Sequence, residues 1–313
     1  MIDVLTSLAG PAVRLFPVYL LTTILIACAV YLTVRPREPF LRWLLPWSTW
    51  SHASTMVDIK LFALNRLLSL VGVFNSVFLT SATALFVLTL LSGRPGEGQS
   101  VNPIFASFCI LLAHDFGIYW IHRIHHETRI LWPFHSVHHS AEVMTPITVY
   151  RKHPIYDVLS SAARGLFSGV IQGVVLAMFV GPMTLSTLLG INVFYVLFNL
   201  LGANLRHTHI WLSYGRVLEH IVISPAQHQI HHSRAVAHHN KNYGEVLALW
   251  DWMFGTLYVP DGREDLDFGL ADADGRPLPQ PHGTFGQALM QPVRQALRAA
   301  GARARKVEGT TAR

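Results

Sequence analysis

Two hexapeptides, HSVHHS at 135–140 and HQIHHS at 228–233, both place histidine at i, i+3 and i+4 and both end in serine. A third element, HRIHH at 122–126, adds His122 and His126 at i and i+4. Residues four apart share one face of a helix, so each box presents imidazoles side by side. Neutral imidazole is the commonest metal ligand among ionisable side chains. The three boxes offer His122, His126, His135, His138, His139, His228, His231 and His232. That is more than one metal ion can use. The spacing therefore predicts a two-metal site, with each triad supplying one half.

The donor set narrows the metal. Structural zinc sites favour four ligands with cysteines common, and the two cysteines, Cys28 and Cys109, fall in apolar runs. Calcium and magnesium prefer oxygen. Imidazole suits iron, copper, nickel and zinc. Iron fits best when the task is oxygen activation, and zinc stays open on ligand type alone. Of the eighteen histidines, sixteen lie between His114 and His239. His52, His114, His220 and His282 stand alone and read as ordinary polar groups. His125 points about 100° away from its neighbour His126 on a helix and is expected outside the ligand set.

Something must hold these boxes, and composition says what. Of 313 residues, 51% are apolar and only 13% charged, about half the usual charged share of a soluble domain. Long apolar runs cause the deficit: 16–34, 67–93, 104–121, 166–181 and 183–203. Crossing a hydrocarbon core takes about 20 helical residues. The last two runs flank Pro182 and read as a helical hairpin. The expectation is an all-α, multi-span membrane protein with four to five transmembrane helices. Arg35, Arg37, Arg42, Lys60 and Arg66 lie between the first two runs, whereas Arg94 is offset by Glu97 after the second. Basic residues stay on the cytoplasmic side. This asymmetry puts the N-terminus outside and the histidine boxes in a helical cap on the cytoplasmic face. No basic patch suggests nucleic acid.

DFGIYWIHRIHHETRILWPFHSVHHSAE (115–142), SPAQHQIHHS (224–233) and NKNYGEVLALWDWMFGTLYVP (240–260) together resemble the signatures of the fatty acid hydroxylase/sterol desaturase superfamily. The resemblance covers about residues 100–270. It implies a membrane enzyme with a non-haem di-iron centre, using dioxygen and two electrons to hydroxylate or desaturate lipid carbon. It carries the eight box histidines over as ligands. It also adds a ninth from HTHIWLSYG (207–215), where His207 is favoured over His209 by its distance to Gly215. His153, His238 and His239 are candidates for a tenth or for supporting roles. Asp115 is expected to orient a ligand imidazole, and Asp251 either to do the same or to cap a turn, since ligating histidines usually donate their other N–H to a carboxylate or carbonyl.

Unactivated C–H bonds have no acidity for side chains to exploit, so the redox chemistry must come from a cofactor. The chain shows no flavin, haem or ferredoxin motif, which calls for an external donor of ferredoxin or cytochrome b5 type with its reductase. The leading reading is a lipid hydroxylase. A desaturase with the same centre and a non-enzymatic membrane metal-binding protein are the alternatives. The expected organisation is an N-terminal span and loop (1–60), a catalytic domain (61–270), and a linker with a basic tail (271–313).

Overall fold

The structure is a computed structural model that describes residues 10, 13–92, 102–178 and 193–311. Among these residues the chain is helical, with isolated bridges and no strand. Helix α1 (Pro17–Val34) opens with Pro17 at a position where a missing N–H costs nothing and ends at Arg35, in the left-handed region at φ 50° just before Pro36. Two single-turn helices, Phe40–Leu44 and Trp47–Trp50, lead to α2 (Ala53–Leu70). The run 67–93 is not one helix. Gly72, at φ +82°, breaks it into the end of α2 and a separate α3 (Val77–Ser92). Helix α4 (Pro103–Glu127) is capped by Asn102, whose side chain accepts from the Ile104 N–H. Then come α5 (Trp132–His139), α6 (Pro154–Met178), α7 (Val193–Leu200), α8 (Pro225–His231), α9 (Leu249–Met253) and α10 (Phe285–Thr311). The expected turn around Pro182 lies outside the described residues.

Two helices, α1 and α6, are long and apolar enough to cross a membrane, and Phe78–Leu91 within α3 is a shorter apolar segment. Large apolar side chains stand exposed on α1, α3 and α4, among them Leu25, Phe86, Leu90 and Phe105. Water penalises such surfaces, and a lipid phase does not.

Glycine spacing joins α3 to α6. Gly165, Gly169 and Gly173 recur every fourth residue on one face of α6. A Cβ at Gly169 would sit 2.6 Å from the Thr80 carbonyl, and one at Gly173 2.6 Å from the Ala84 carbonyl. The two backbones thus meet without side chains between them, which is how helices gain packing contact where no hydrophobic drive exists.

The Pro/Gly-rich stretch 271–287, which composition marks as a linker, is mostly exposed and is pinned at one buried residue. His282 is fully buried, and Ala288 at the start of α10 joins Val57, Leu61 and Val137 in a small core. The apolar face of α10 packs against α2 and α5 directly after this stretch.

Gly169→Leu should drive α3 and α6 apart, because overpacking a closed contact costs about 1–3 kcal/mol. The expected readout is a lower melting temperature of the detergent-solubilised protein. Gly286→Ala, with open space around its Cα, should leave melting unchanged or slightly higher.

Candidate metal centre

Four segments deliver nine imidazoles to one place. The last turns of α4 carry His122 and His126, and α5 carries His135, His138 and His139. A 3-10 turn, Ala203–His207, ends on His207. Helix α8 supplies His228 and His231, with His232 as its C-cap. The start of α8 is set by a reciprocal pair. Ser224 Oγ accepts from the Gln227 N–H at 3.1 Å, and Gln227 Oε1 accepts from the Ser224 N–H at 3.0 Å. Pro225 sits at the first helical position.

The nine form two groups, each with its ligating atoms within 4.8 Å of one another. One holds His122, His126, His135, His139 and His231. The other holds His138, His207, His228 and His232. This corrects the expectation that each triad furnishes one half. Each triad is split. In α5 the i, i+4 pair His135/His139 enters the first group and His138 the second, while in α8 the pair His228/His232 enters the second group and His231 the first. Helix geometry is the reason, because adjacent residues point about 100° apart.

Inside the groups, nitrogen faces nitrogen. His122 Nε2 lies 3.0 Å from His135 Nε2, and His139 Nε2 lies 3.2 Å from the same atom. In the second group His207 Nε2 lies 3.2 Å from His138 Nε2 and 3.0 Å from His228 Nε2. Two rings are fixed from behind. His122 Nδ1–H donates to the Tyr243 carbonyl and His231 Nδ1–H to the Lys241 carbonyl, both at 2.7 Å. A carbonyl only accepts, so these rings carry their proton on Nδ1 and aim a bare Nε2 lone pair inward. The Nε2 atoms of His126, His231 and His232 are buried with no hydrogen-bond partner. Burial, with the neighbouring imidazoles, holds His135, His138, His139, His207 and His228 well below the ordinary histidine value. Burial, then His232, pulls His231 to about 3, and burial, then His122, does the same to His232. The rings are neutral at physiological pH, as metal binding requires. A cavity of about 190 Å³, walled by Trp132, Ser233, Asn240 and Leu270, opens onto the five-histidine group.

The remaining candidates fall elsewhere. His209 is exposed and packs its edge on Trp43. His153 caps α6, accepting from the Ile155 N–H at Nδ1 and donating to the Leu289 carbonyl from Nε2. His238 meets Glu264 at 3.0 Å, and His239 donates to the Arg234 carbonyl. None joins either group. His125 donates to the Ile121 carbonyl, outside both groups.

Neither aspartate touches an imidazole, which corrects the role expected of Asp115 and gives Asp251 its turn-capping alternative. Asp115 accepts from the N–H groups of Val246 and Leu247 and from Trp250 Nε1. Asp251 accepts from the N–H groups of Tyr243 and Gly244 and from Thr256 Oγ1. A carboxylate so placed satisfies the donors of a buried loop. Asp251 therefore acts on His122 through the Tyr243 carbonyl.

Sequence reasoning missed the brace behind α5. Arg151 is fully buried and donates to the Val137 carbonyl at 2.7 Å, to Ser140 Oγ at 2.9 Å and to Asp58 Oδ1 at 2.7 Å. Asp58 Oδ2 accepts from Thr148 Oγ1. Gln280 Nε2 donates to the Ser140 carbonyl, and His282 Nε2 lies 3.2 Å from Ser136 Oγ. These groups satisfy the carbonyls that the end of a helix leaves open. His282 is thus a positioning residue rather than an isolated polar group. The available signal was Asp58 itself, the one acid in α2.

A helical scaffold that gathers two groups of neutral imidazoles beside apolar helices is the architecture of a histidine-box protein. Comparison with known proteins then gives the particular family. The fatty acid hydroxylase family model matches residues 107–256. The chain is 32% identical to ornithine lipid hydroxylase OlsE of Rhizobium tropici over 160 residues, covering 51% of this chain and 44% of the relative. It is 32% identical to human (Homo sapiens) alkylglycerol monooxygenase over 215 residues, covering 69% of this chain and 42% of that one. With the Delta(7)-sterol 5(6)-desaturase erg3C of Aspergillus fumigatus it shares 26% identity over 198 residues, 58% of this chain and 59% of the relative. The chain thus spans less than half the length of the first two relatives. No solved structure matches it.

Arg151→Met should strand the Asp58 carboxylate in the interior and cost about 3–5 kcal/mol, whereas replacing both partners by apolar residues should recover much of the loss. Thermal unfolding of Arg151→Met, and of the Arg151→Met/Asp58→Leu double variant, checks this. A double variant no more stable than the single one would contradict the pairing.

Proposed function

We propose that the chain is a membrane-embedded di-iron oxygenase that hydroxylates a C–H bond of a lipid. The observation that carries this reading is the set of nine neutral imidazoles in two adjacent groups, with buried Nε2 atoms that have no partner. His122, His126, His135, His139 and His231 would hold one iron, and His138, His207, His228 and His232 the other. Bound iron would supply the redox chemistry, in which dioxygen, two electrons and two protons convert C–H to C–OH with release of one water. The chain's own part is to fix the ring tautomers of His122 and His231 through the Tyr243 and Lys241 carbonyls, to hold the first of these carbonyls still through Asp251, and to keep the ligands dry. The hydroxylase and monooxygenase names of the two relatives at 32% identity favour this over desaturation. The desaturase relative keeps the second reading in view.

The remaining features of the reading rest on the sequence. Four to five spans would place the histidine cap at the cytoplasmic face, where the electrons would come from a separate ferredoxin or cytochrome b5 with its reductase. The exposed apolar side chains and the two long apolar helices support membrane residence.

Purified protein should bind about two iron ions per chain and form product from labelled dioxygen only when iron-loaded. A hydroxylase inserts one labelled oxygen atom, whereas a desaturase removes two hydrogens and leaves no label. His138→Ala or His228→Ala cuts the four-membered group to three and should bring bound iron down towards about one per chain. His126→Ala leaves four ligands in its group and should retain more. All three should lose product formation, since residues acting as a unit are not additive. Chelation-resistant activity would overturn the proposal.

Reporter fusions test the orientation. A reporter at residue 98 should read outside and one at residue 145 inside; the reverse at either point would remove the cap from the cytoplasmic face.

A further inference from the structure

A second cavity, of about 310 Å³, lies beside the histidine groups and is lined by charge rather than by hydrocarbon. Four cations face it, Arg14, Arg66, Lys152 and Arg164, against two acids, Asp157 and Glu245. We infer that this cavity holds the anionic headgroup of an amphiphilic substrate, so that the carbon presented to the histidine groups lies near the polar end of the lipid. The inference rests on the oxygenase reading above and narrows its substrate class.

The ion pairs leave positive charge over. Arg14 lies 3.4 Å from Glu245, and Lys152 lies 3.9 Å from Asp157. Glu245 is also served by Tyr195 Oη at 3.4 Å, and its backbone carbonyl accepts from Arg206. Burial opposes its charge, yet Arg14, Arg206, Lys152 and Arg164 together hold this carboxyl at about 2. Arg66 and Arg164 form no ion pair among the described residues. Arg164 donates to Ser161 Oγ, and Arg66 lies over the Tyr150 ring at 4.8 Å with its Nε buried and without a partner. Two guanidinium groups with no ion pair of their own suit a phosphate or carboxylate, which guanidinium binds through paired N–H donors.

The location argues for a lipid. Asp157, Ser161 and Arg164 recur at i, i+4 and i+7 on α6, one of the two helices able to cross a membrane. Ionisable residues on such a helix are costly and mark a ligand or ion path. The cavity also touches the histidine groups through shared segments. Lys152 Nζ lies 5.8 Å from the Tyr156 ring centroid, and that ring stacks on His135 at 4.7 Å. Arg14 Nη1 donates to the Ala203 carbonyl, at the start of the turn that ends on His207. A headgroup seated here would hold its first chain carbons next to the reactive centre. Sterols and carotenoids carry no anion to satisfy Arg66 and Arg164.

The test measures binding by calorimetry on the full, iron-loaded chain in non-ionic detergent, with dioctanoyl phosphatidic acid, dioctanoylglycerol and inorganic phosphate as probes. Phosphatidic acid should bind at least about tenfold more tightly than dioctanoylglycerol, as expected for a charge-assisted contact worth about 1.5–3 kcal/mol. Arg66→Gln and Arg164→Gln should each lose about tenfold in phosphatidic acid affinity with iron content and melting temperature unchanged, and Arg164→Lys should recover part of it. Equal affinity for the charged and neutral lipids would overturn the proposal, and so would variants that bind phosphatidic acid like the parent. Inorganic phosphate binding as tightly as phosphatidic acid would overturn the lipid assignment and leave a free-anion site. Should a variant fail to fold, the three probes on the parent protein still decide. Binding is read without turnover. A chain that binds phosphatidic acid but consumes no dioxygen would refute the oxygenase reading alone, and an active oxygenase indifferent to charge would refute the headgroup site alone.

Discussion

This fold crowds nine imidazoles into two small volumes. Each imidazole nitrogen removed from water without a partner costs free energy, and several lie about 3 Å from another nitrogen. The surroundings must supply the rigidity, and most of the polar architecture around the site does so. The Tyr243 and Lys241 carbonyls choose the tautomers, and Asp251 holds the loop that carries the first of them. Arg151, Asp58 and Gln280 close the back of α5, while the Ser224–Gln227 pair starts α8 in register. A site of this kind is bought with hydrogen bonds at some distance from it.

That economy explains what the sequence could and could not reveal. Histidines that share a helix leave their geometry in the local spacing, so the three boxes were legible at once. His207 stands alone in its turn, and only resemblance to a family separated it from His209. The braces left no local trace. Arg151 and Asp58 are 93 residues apart, and His282 meets Ser136 across 146. A lone buried arginine reads like a surface one until its partners are seen. Asp115 was recognised as important but assigned to the wrong donors, and Asp251 was left between an imidazole and a turn, because spacing does not say which N–H a carboxylate will meet.

Apolar composition was also a partial guide. It located α1, α3, α4 and α6, yet averaged across Gly72 and so merged α2 with α3. It also passed over the polar stripe Asp157, Ser161 and Arg164, which lies on α6 just ahead of the apolar run 166–181. The charged cavity follows from that stripe meeting Arg14, Arg66 and Glu245, which come from three other parts of the chain. Only the fold brings them together.

The division of each triad between the two groups has a mechanical meaning. His138 and His139 are consecutive residues, as are His231 and His232, yet each pair straddles the boundary between the groups. The spacing of the two centres is therefore gauged by the pitch of two short helices, about 1.5 Å and 100° per residue, rather than by loops that breathe. Neither α5 nor α8 can shift without carrying part of both centres along. The two centres ride on common axles, and their separation is preserved even when the cradle around them flexes.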